Sequence, residues 1–197
     1  GGKTVSVADV ARARLFRRGG APIVASGSFD ADSVLQDEAR YGNESGAYNF
    51  GCQAAEVEVD PQTGQVKVLQ YAAASDCGTV INPLGAEGQV EGSVAQGLGY
   101  ALIEGLKVED GRPQNPNFSD YKLPSMRDMP PLKHGFAKSY EPTGPFGAKG
   151  LGELGMDPTA AVINNAIFDA VGVRIKTLPI TPEKILRAIK EKEGKNI

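Results

Sequence analysis

Apolar and polar residues alternate singly along one stretch of the chain. Ala55, Val57 and Val59 are interleaved with Glu56, Glu58 and Asp60. After Pro-Gln-Thr-Gly at residues 61–64, Val66 and Val68 resume the alternation around Lys67. Period-two patterning on both sides of a Pro/Gly turn predicts a β-hairpin with one buried and one wet face. The period then changes. Asn82-Pro83 is a helix-opening pair, with Asn as cap and Pro at the first helical position. Val90, Val94, Leu98, Ala101 and Leu102 follow at helical spacing. Gly88, Gly92, Gly97 and Gly99 interrupt that helix. Glycine costs roughly 1 kcal/mol against alanine in a helix, so four of them imply close approach of a neighbour or a ligand.

Further elements follow from the same rules. Residues 6–18 predict a helix, with Ser6 and Asp9 as a capping pattern and Gly19-Gly20 as its stop. Residues 21–29 predict a short strand, and residues 30–46 are polar and irregular. Residues 106–140 read as strands and loops with proline-rich turns. Asp157-Pro158 opens a second long helix that stops at Gly172, Val173 and Ile175 predict a short strand, and Thr181-Pro182 opens a third helix with Ile185, Leu186 and Ile189 as its apolar stripe. The tail EKEGKNI is charged and is expected to fray. Strands and helices are grouped without strict alternation, so the expected class is α+β, with mixed sheet elements and packed helices. The expected division is residues 1–45 as an N-terminal helix and connecting segment, and residues 46–197 as the main domain.

Composition narrows the function. A hydrophobic content of 41% in 197 residues supports a real core. A net charge of -3 gives no reason to propose nucleic acid as partner, and Arg12, Arg14, Arg17 and Arg18 read as a solvated helix face. Two cysteines, Cys52 and Cys77, make neither a disulfide framework nor a zinc site. His134 is the one histidine, and no GxSxG elbow accompanies it. There is no 18-residue apolar run and no signal-peptide pattern, so no membrane is expected and the location reads as cytoplasmic. The chain begins Gly-Gly-Lys, which fits a fragment, a processed chain or one part of a split polypeptide.

Residues 144–155 form the most informative loop. Gly150, Gly152 and Gly155 match the spacing of a dinucleotide fingerprint, but the preceding SYEPTGPFGAK is not a buried strand, and Lys149 is followed by glycine, unlike a phosphate-binding Walker loop. The loop's carboxylate is Glu153, on bare backbone that a ligand could approach closely; by local sequence alone a surface carboxylate is the plainer reading. Gln96 lies roughly opposite the Val94–Leu98 stripe, facing solvent or something polar. Asp76 reads as a turn or cap residue, Cys77 as a small buried apolar one, and His134 as structural or surface.

Taken in order, YNFGCQAAEVEVD, ASDCGTVINP, GQVEGSVAQGLGYALIEGL, YKLPSM, GAKGLGELG and PTAAVINNAIFDAVGVRIKTLPITPEKIL resemble the C-terminal portion of the large subunit of molybdenum hydroxylases. That family includes xanthine dehydrogenase, aldehyde oxidase, carbon monoxide dehydrogenase and 4-hydroxybenzoyl-CoA reductase. The resemblance covers about residues 46–190 and is looser before them. It implies the fold of a molybdenum-cofactor-binding domain. It implies Glu153 as the catalytic base beside the metal, Leu151 with Gly150 and Gly152 as backbone lying against the molybdenum centre, and Gln96 as a contact to molybdopterin. No side chain is implied as a direct metal ligand. The implied cofactor is molybdenum-molybdopterin, as such or as a dinucleotide, with 2Fe-2S clusters and FAD on partner chains or segments. The implied partners are the remaining part of the molybdopterin subunit and iron–sulfur and flavin subunits. The implied reaction oxidises an electron-poor carbon of an N-heterocycle, aldehyde or related small molecule with water-derived oxygen. Two other classes stay open on the residues: a non-catalytic assembly module of such a complex, and an unrelated phosphate- or nucleotide-binding domain.

Overall fold

The computed structural model describes residues 2–30 and 33–194 and divides the chain into two units, Gly1–Glu44 and Ser45–Ile197. In the first, helix α1 (Val7–Phe16) starts where the capping pattern places it. The Ser6 hydroxyl accepts the Asp9 amide at 3.1 Å, satisfying one of the free N–H groups of the first turn. None of the residues of α1 is buried. The strand expected over residues 21–29 does not form. Ile23 and Val24 are adjacent apolar residues that would face opposite sides of a strand, and they stay 63% and 81% exposed with no neighbouring ladder to take their backbone groups. Of residues 30–46, positions 31 and 32 lie outside the described residues.

The second unit is built on the predicted hairpin. Strand β1 (Phe50–Val59) pairs antiparallel with β2 (Val66–Asp76). The turn between them is tied by Asp60, whose carboxylate accepts the Gln62 amide at 2.8 Å and the Thr63 hydroxyl at 2.9 Å. Gly64 sits at φ +75°, and a Cβ there would lie 2.1 Å from the Pro182 carbonyl, so glycine is required twice over. Partway along, Glu56 faces Gln70 while Val57 faces Val68, leaving Leu69 without a partner. This bulge changes the parity of the strand. Val66 and Val68 face inward before it, and Tyr71, Ala73 and Ser75 after it.

Helix α2 (Pro83–Leu102) follows, capped as expected by Asn82 Oδ1 on the Gly85 amide at 3.1 Å. A two-residue ladder, β3 (Val108–Glu109) with β4 (Arg112–Pro113), precedes β5 (Leu132–Phe136). Strand β5 joins β2 in parallel, giving the order β1-β2-β5. Helix α3 (Thr159–Val171) packs on β1 and on α2, and ends at Gly172 in the left-handed conformation. It begins two residues after Asp157, which does not cap it. Helix α4 (Pro182–Lys192) is capped by Thr181 on the Lys184 amide, and the charged tail beyond residue 194 lies outside the described residues. The strand expected at Val173 and Ile175 is a correction of a different kind. Both side chains are buried, at 6% and 8% exposure, but the backbone there joins no ladder. The Asn164 side chain takes both groups of Ile175, accepting its N–H at 3.1 Å and donating to its carbonyl at 2.9 Å. A side-chain amide replaces the neighbouring strand.

The core runs between the sheet and the helices, through Tyr71, Val90, Val94, Leu98, Ile163, Ile167 and Ile185. Two of the five α2 glycines are tightly enclosed. A Cβ on Gly97 would lie 2.5 Å from Thr159 Cβ, and one on Gly99 would meet Glu104 Oε1 at 2.0 Å. Gly88 and Gly92 have nothing within 4 Å and face away.

One buried ion pair fastens the loop after residue 147. Lys149 and Asp76, with side chains 7% and 15% exposed, meet at 2.6 Å. Lys149 also donates to the Tyr48 carbonyl at 3.0 Å and lies over the Phe50 ring. Asp76 accepts the Gly78 amide at 3.0 Å and the Ser139 hydroxyl. The residue read from sequence as a turn former does make that turn, and it also holds a distant lysine. The hydrogen bond from Lys149, then those from Ser139 and Gly78, lower its carboxyl from the ordinary 3.8 to about 2.

Two expectations follow. Gly97→Ala should destabilise the chain by about 1–3 kcal/mol through overpacking, whereas Gly92→Ala should stabilise it by up to about 1 kcal/mol; denaturant unfolding of both variants checks the contrast. The folded carboxyl of Asp76 titrates below its unfolded value, so its stabilisation is complete above about pH 4 and is lost as the pH falls toward about 2. The stability gap between the wild type and Asp76→Asn, measured by unfolding across that range, should therefore be widest above pH 4 and close on acidification.

Candidate active site

The glycine loop keeps its shape through its carbonyl groups. Asn49, just before β1, donates from Nδ2 to the Gly150 carbonyl at 2.5 Å. Ser93, on α2, donates to the Gly152 carbonyl at 2.9 Å. Gln53, on β1, donates to the Gly155 carbonyl at 2.7 Å. The Glu153 carbonyl accepts the Met156 amide at 2.9 Å and the Asp157 amide at 3.3 Å. Four carbonyls of a six-residue stretch thus have protein donors. A trans peptide points its N–H opposite to its carbonyl, so the Leu151 and Glu153 amides are left pointing away from these donors. Neither finds an acceptor among the described residues.

Gln53 is itself fixed from behind. Its Oε1 accepts the Tyr71 hydroxyl at 2.5 Å, and the Thr159 hydroxyl lies 3.2 Å from it and 3.0 Å from the Gly155 carbonyl. Tyr71 is 1% exposed, and burial pushes its phenol above the ordinary range, keeping it a donor.

A cleft of about 400 Å³ opens over the loop, lined by Asn49, Gly150, Leu151, Gly152, Glu153, Leu154 and Asp157. Gly150, Leu151, Gly152 and Glu153, all singled out from sequence, therefore share one wall. Glu153 is exposed and makes no ion pair or side-chain hydrogen bond among the described residues. A Cβ on Gly150 or Gly152 would meet nothing within 4 Å, so the backbone there is open to a large ligand. Gly155 is different: its Cβ would come within 2.6 Å of Ser93 Cβ, so loop and helix touch there.

Gln96 is not in the cleft wall. It is exposed on α2, in line at four-residue spacing with Gly88 and Gly92, whose open faces continue the same stripe. Ser93, one turn before it, joins that helix to the loop. His134 lies on β5, beside the Phe136 ring and away from the cleft. Sequence reasoning missed Asn49, Gln53, Ser93 and the Lys149–Asp76 pair. Only Gln53 carried a signal: it is a polar residue in phase with the inward positions Ala55, Val57 and Val59.

A larger groove of about 560 Å³ lies elsewhere, lined by residues such as Val68, Leu98, Leu102, Met129, Pro131 and Ile180. Its carboxylate, Asp128, is committed to its own turn through the Ser125 amide and hydroxyl, both at 2.7 Å. The smaller cleft holds two acids, Glu153 and Asp157, whose carboxylates have no partner among the described residues, and Glu153 is the one on the bare glycine stretch. Among the described residues no three His, Cys, Asp or Glu side chains gather as a metal-ligand set. Bare Gly150 and Gly152 leave room here for a group that carries a metal on its own ligands, such as molybdopterin.

Comparison with known proteins places the chain in a family. Residues 2–130 match the molybdopterin cofactor-binding domain family, a stretch that includes the N-terminal segment the quoted motifs leave out. The chain is 39% identical over 185 residues to the 6-hydroxypseudooxynicotine dehydrogenase complex subunit gamma of Paenarthrobacter nicotinovorans, covering 92% of this chain and 22% of that protein. It is 41% identical over 138 residues to the putative xanthine dehydrogenase molybdenum-binding subunit of Escherichia coli, covering 69% and 18%. The crystal structure of the aldehyde oxidoreductase from Desulfovibrio desulfuricans superposes with a TM-score of 0.75 at 33% identity, over 80% of this chain and 17% of that one. The chain spans about a fifth of the length of these relatives. Matched by the family model over residues 2–130 and by a solved structure over 80% of its length, this α+β chain belongs to the molybdopterin cofactor-binding domain family.

Proposed function

We propose that the chain is a catalytic component of a molybdenum hydroxylase, acting with further polypeptide that completes the cofactor site. The observation that carries this reading is the state of Glu153. It is a solvent-facing carboxylate without a protein partner among the described residues, on a loop in which four of six carbonyls are held by protein donors. A surface acid on a mobile loop needs no such bracing. A general base does, because proton transfer works only within hydrogen-bond reach of the reacting group.

In this reading Gly150, Leu151 and Gly152 would hold the molybdenum end of the cofactor, and Gln96, in line with the bare Gly88 and Gly92 of α2, would hold its organic part. When bound, molybdenum supplies the two-electron redox chemistry. Glu153 takes up a proton at a carboxylate oxygen as the substrate is hydroxylated and then releases it to water. The Lys149–Asp76 pair holds the loop's upstream end and Gln53 its downstream end. The substrate class is an electron-poor carbon in an N-heterocycle, an aldehyde or a related small molecule. Iron–sulfur and flavin centres on partner chains or segments carry the electrons away, in a cytoplasmic complex. Relatives named as complex subunits or as aldehyde and quinoline oxidoreductases support this assignment. Among the described residues no helix is long and apolar enough to cross a membrane.

Two measurements on the assembled enzyme test the roles. Glu153→Ala should lower turnover by at least about 10²–10⁴-fold, the range expected for loss of a general base, with molybdenum content unchanged; near-normal turnover refutes the assignment. Gln96→Ala should instead lower the molybdopterin retained after purification, and an unaltered pterin content removes Gln96 from the cofactor's contacts.

A further inference from the structure

Among the described residues, Ser93 makes the one polar contact between α2 and the backbone that carries Glu153. It is 6% exposed, yet its hydroxyl reaches the Gly152 carbonyl at 2.9 Å. Helix and loop are already pressed together beside it, since a Cβ on Gly155 would come within 2.6 Å of Ser93 Cβ. Van der Waals contact at Gly155 therefore sets how near the loop lies. It does not set how the Gly152–Glu153 peptide is rotated. That peptide has two opposed polar ends, and holding its carbonyl against α2 fixes the direction of the Glu153 amide and of the Cα that bears the acid. An alanine at position 93 would keep the contact and lose the orientation.

We propose that Ser93 is a positioning residue. Its hydrogen bond to Gly152 holds the base-bearing loop in register with the helix that carries Gln96, so that the base and the cofactor contact keep one fixed geometry. The proposal rests on Glu153 acting as the base. Asn49 makes the equivalent bond two peptides earlier, to Gly150, from an exposed position. Ser93 differs in being buried and in bridging two elements that the proposed function assigns to different tasks.

The test pairs a local structural readout with kinetics. In the full chain, the Met156 and Asp157 amides are bonded to the Glu153 carbonyl and report whether the turn at Glu153 is closed. With Ser93→Ala their hydrogen exchange should quicken about three- to tenfold, the effect of one lost hydrogen bond, while amides of β2 and α4 keep their wild-type rates. In the assembled enzyme the same variant should lower kcat by about tenfold or more, with KM and molybdenum content unchanged. Asn49→Ala, on an exposed residue, should lower kcat in the same direction and stands in if Ser93→Ala does not fold. Unaltered exchange at Met156 overturns the proposal, and so does faster exchange with an unaltered kcat while Glu153→Ala is inactive. If Glu153→Ala retains turnover although Ser93→Ala loosens the loop, the base assignment has failed and the catalytic part of the proposal falls with it.

Discussion

The site depends on the side-chain amide of Gln53. It sits on β1 at a position where the hairpin buries apolar residues, and it survives there because each of its ends is satisfied. Tyr71 and Thr159 approach Oε1, and Nε2 reaches the Gly155 carbonyl. A buried polar group without partners would cost on the order of 1–3 kcal/mol. With partners, it links its strand to a loop and a helix that lie more than a hundred residues further along the sequence. None of the three elements can shift without breaking a bond to this one residue. The downstream end of the glycine loop is positioned by the same core that holds the sheet on α3.

The glycines of the chain divide by what surrounds them. Gly64, Gly97 and Gly155 stand where another atom already occupies the place of a side chain. Gly88, Gly92, Gly150 and Gly152 stand where nothing does. The first group serves the fold of this unit. The second exposes backbone on α2 and on the loop at the cost of helix propensity and chain entropy, with no return inside the described structure. Bare backbone on two elements joined by Ser93 is the physical basis for reading that side of the molecule as the cofactor's.

Much of the architecture was legible because it is local. The hairpin over Ala55 to Val68, the Asn82-Pro83 and Thr181-Pro182 helix starts and the Gly172 stop all depend on residues a few positions apart. The resemblance directed attention to the loop residues 150–153, and the cleft wall contains all four. What failed was reasoning about partners. A β-branched pair at Ile23 and Val24 has strand propensity but no neighbour. Val173 and Ile175 have the strand's burial pattern, but a side-chain amide takes the place of a ladder. Nothing near Asp76 announced Lys149, which lies 73 residues on.

The sequence by itself determined where the main hairpin and the capped helices α1, α2 and α4 lie, through short-range dihedral preferences, capping and periodicity. Its ordered motifs, a separate signal, carried the resemblance to the family. Only the tertiary structure decided which face of β2 is buried beyond Leu69, because one unpaired residue reverses the alternation for the rest of the strand. It also decided that four carbonyls around Glu153 are held while the acid stays free. Hydrogen bonds from Asn49, Gln53 and Ser93 cross 59 to 102 residues, and no local pattern encodes a contact that exists only once the chain has closed on itself.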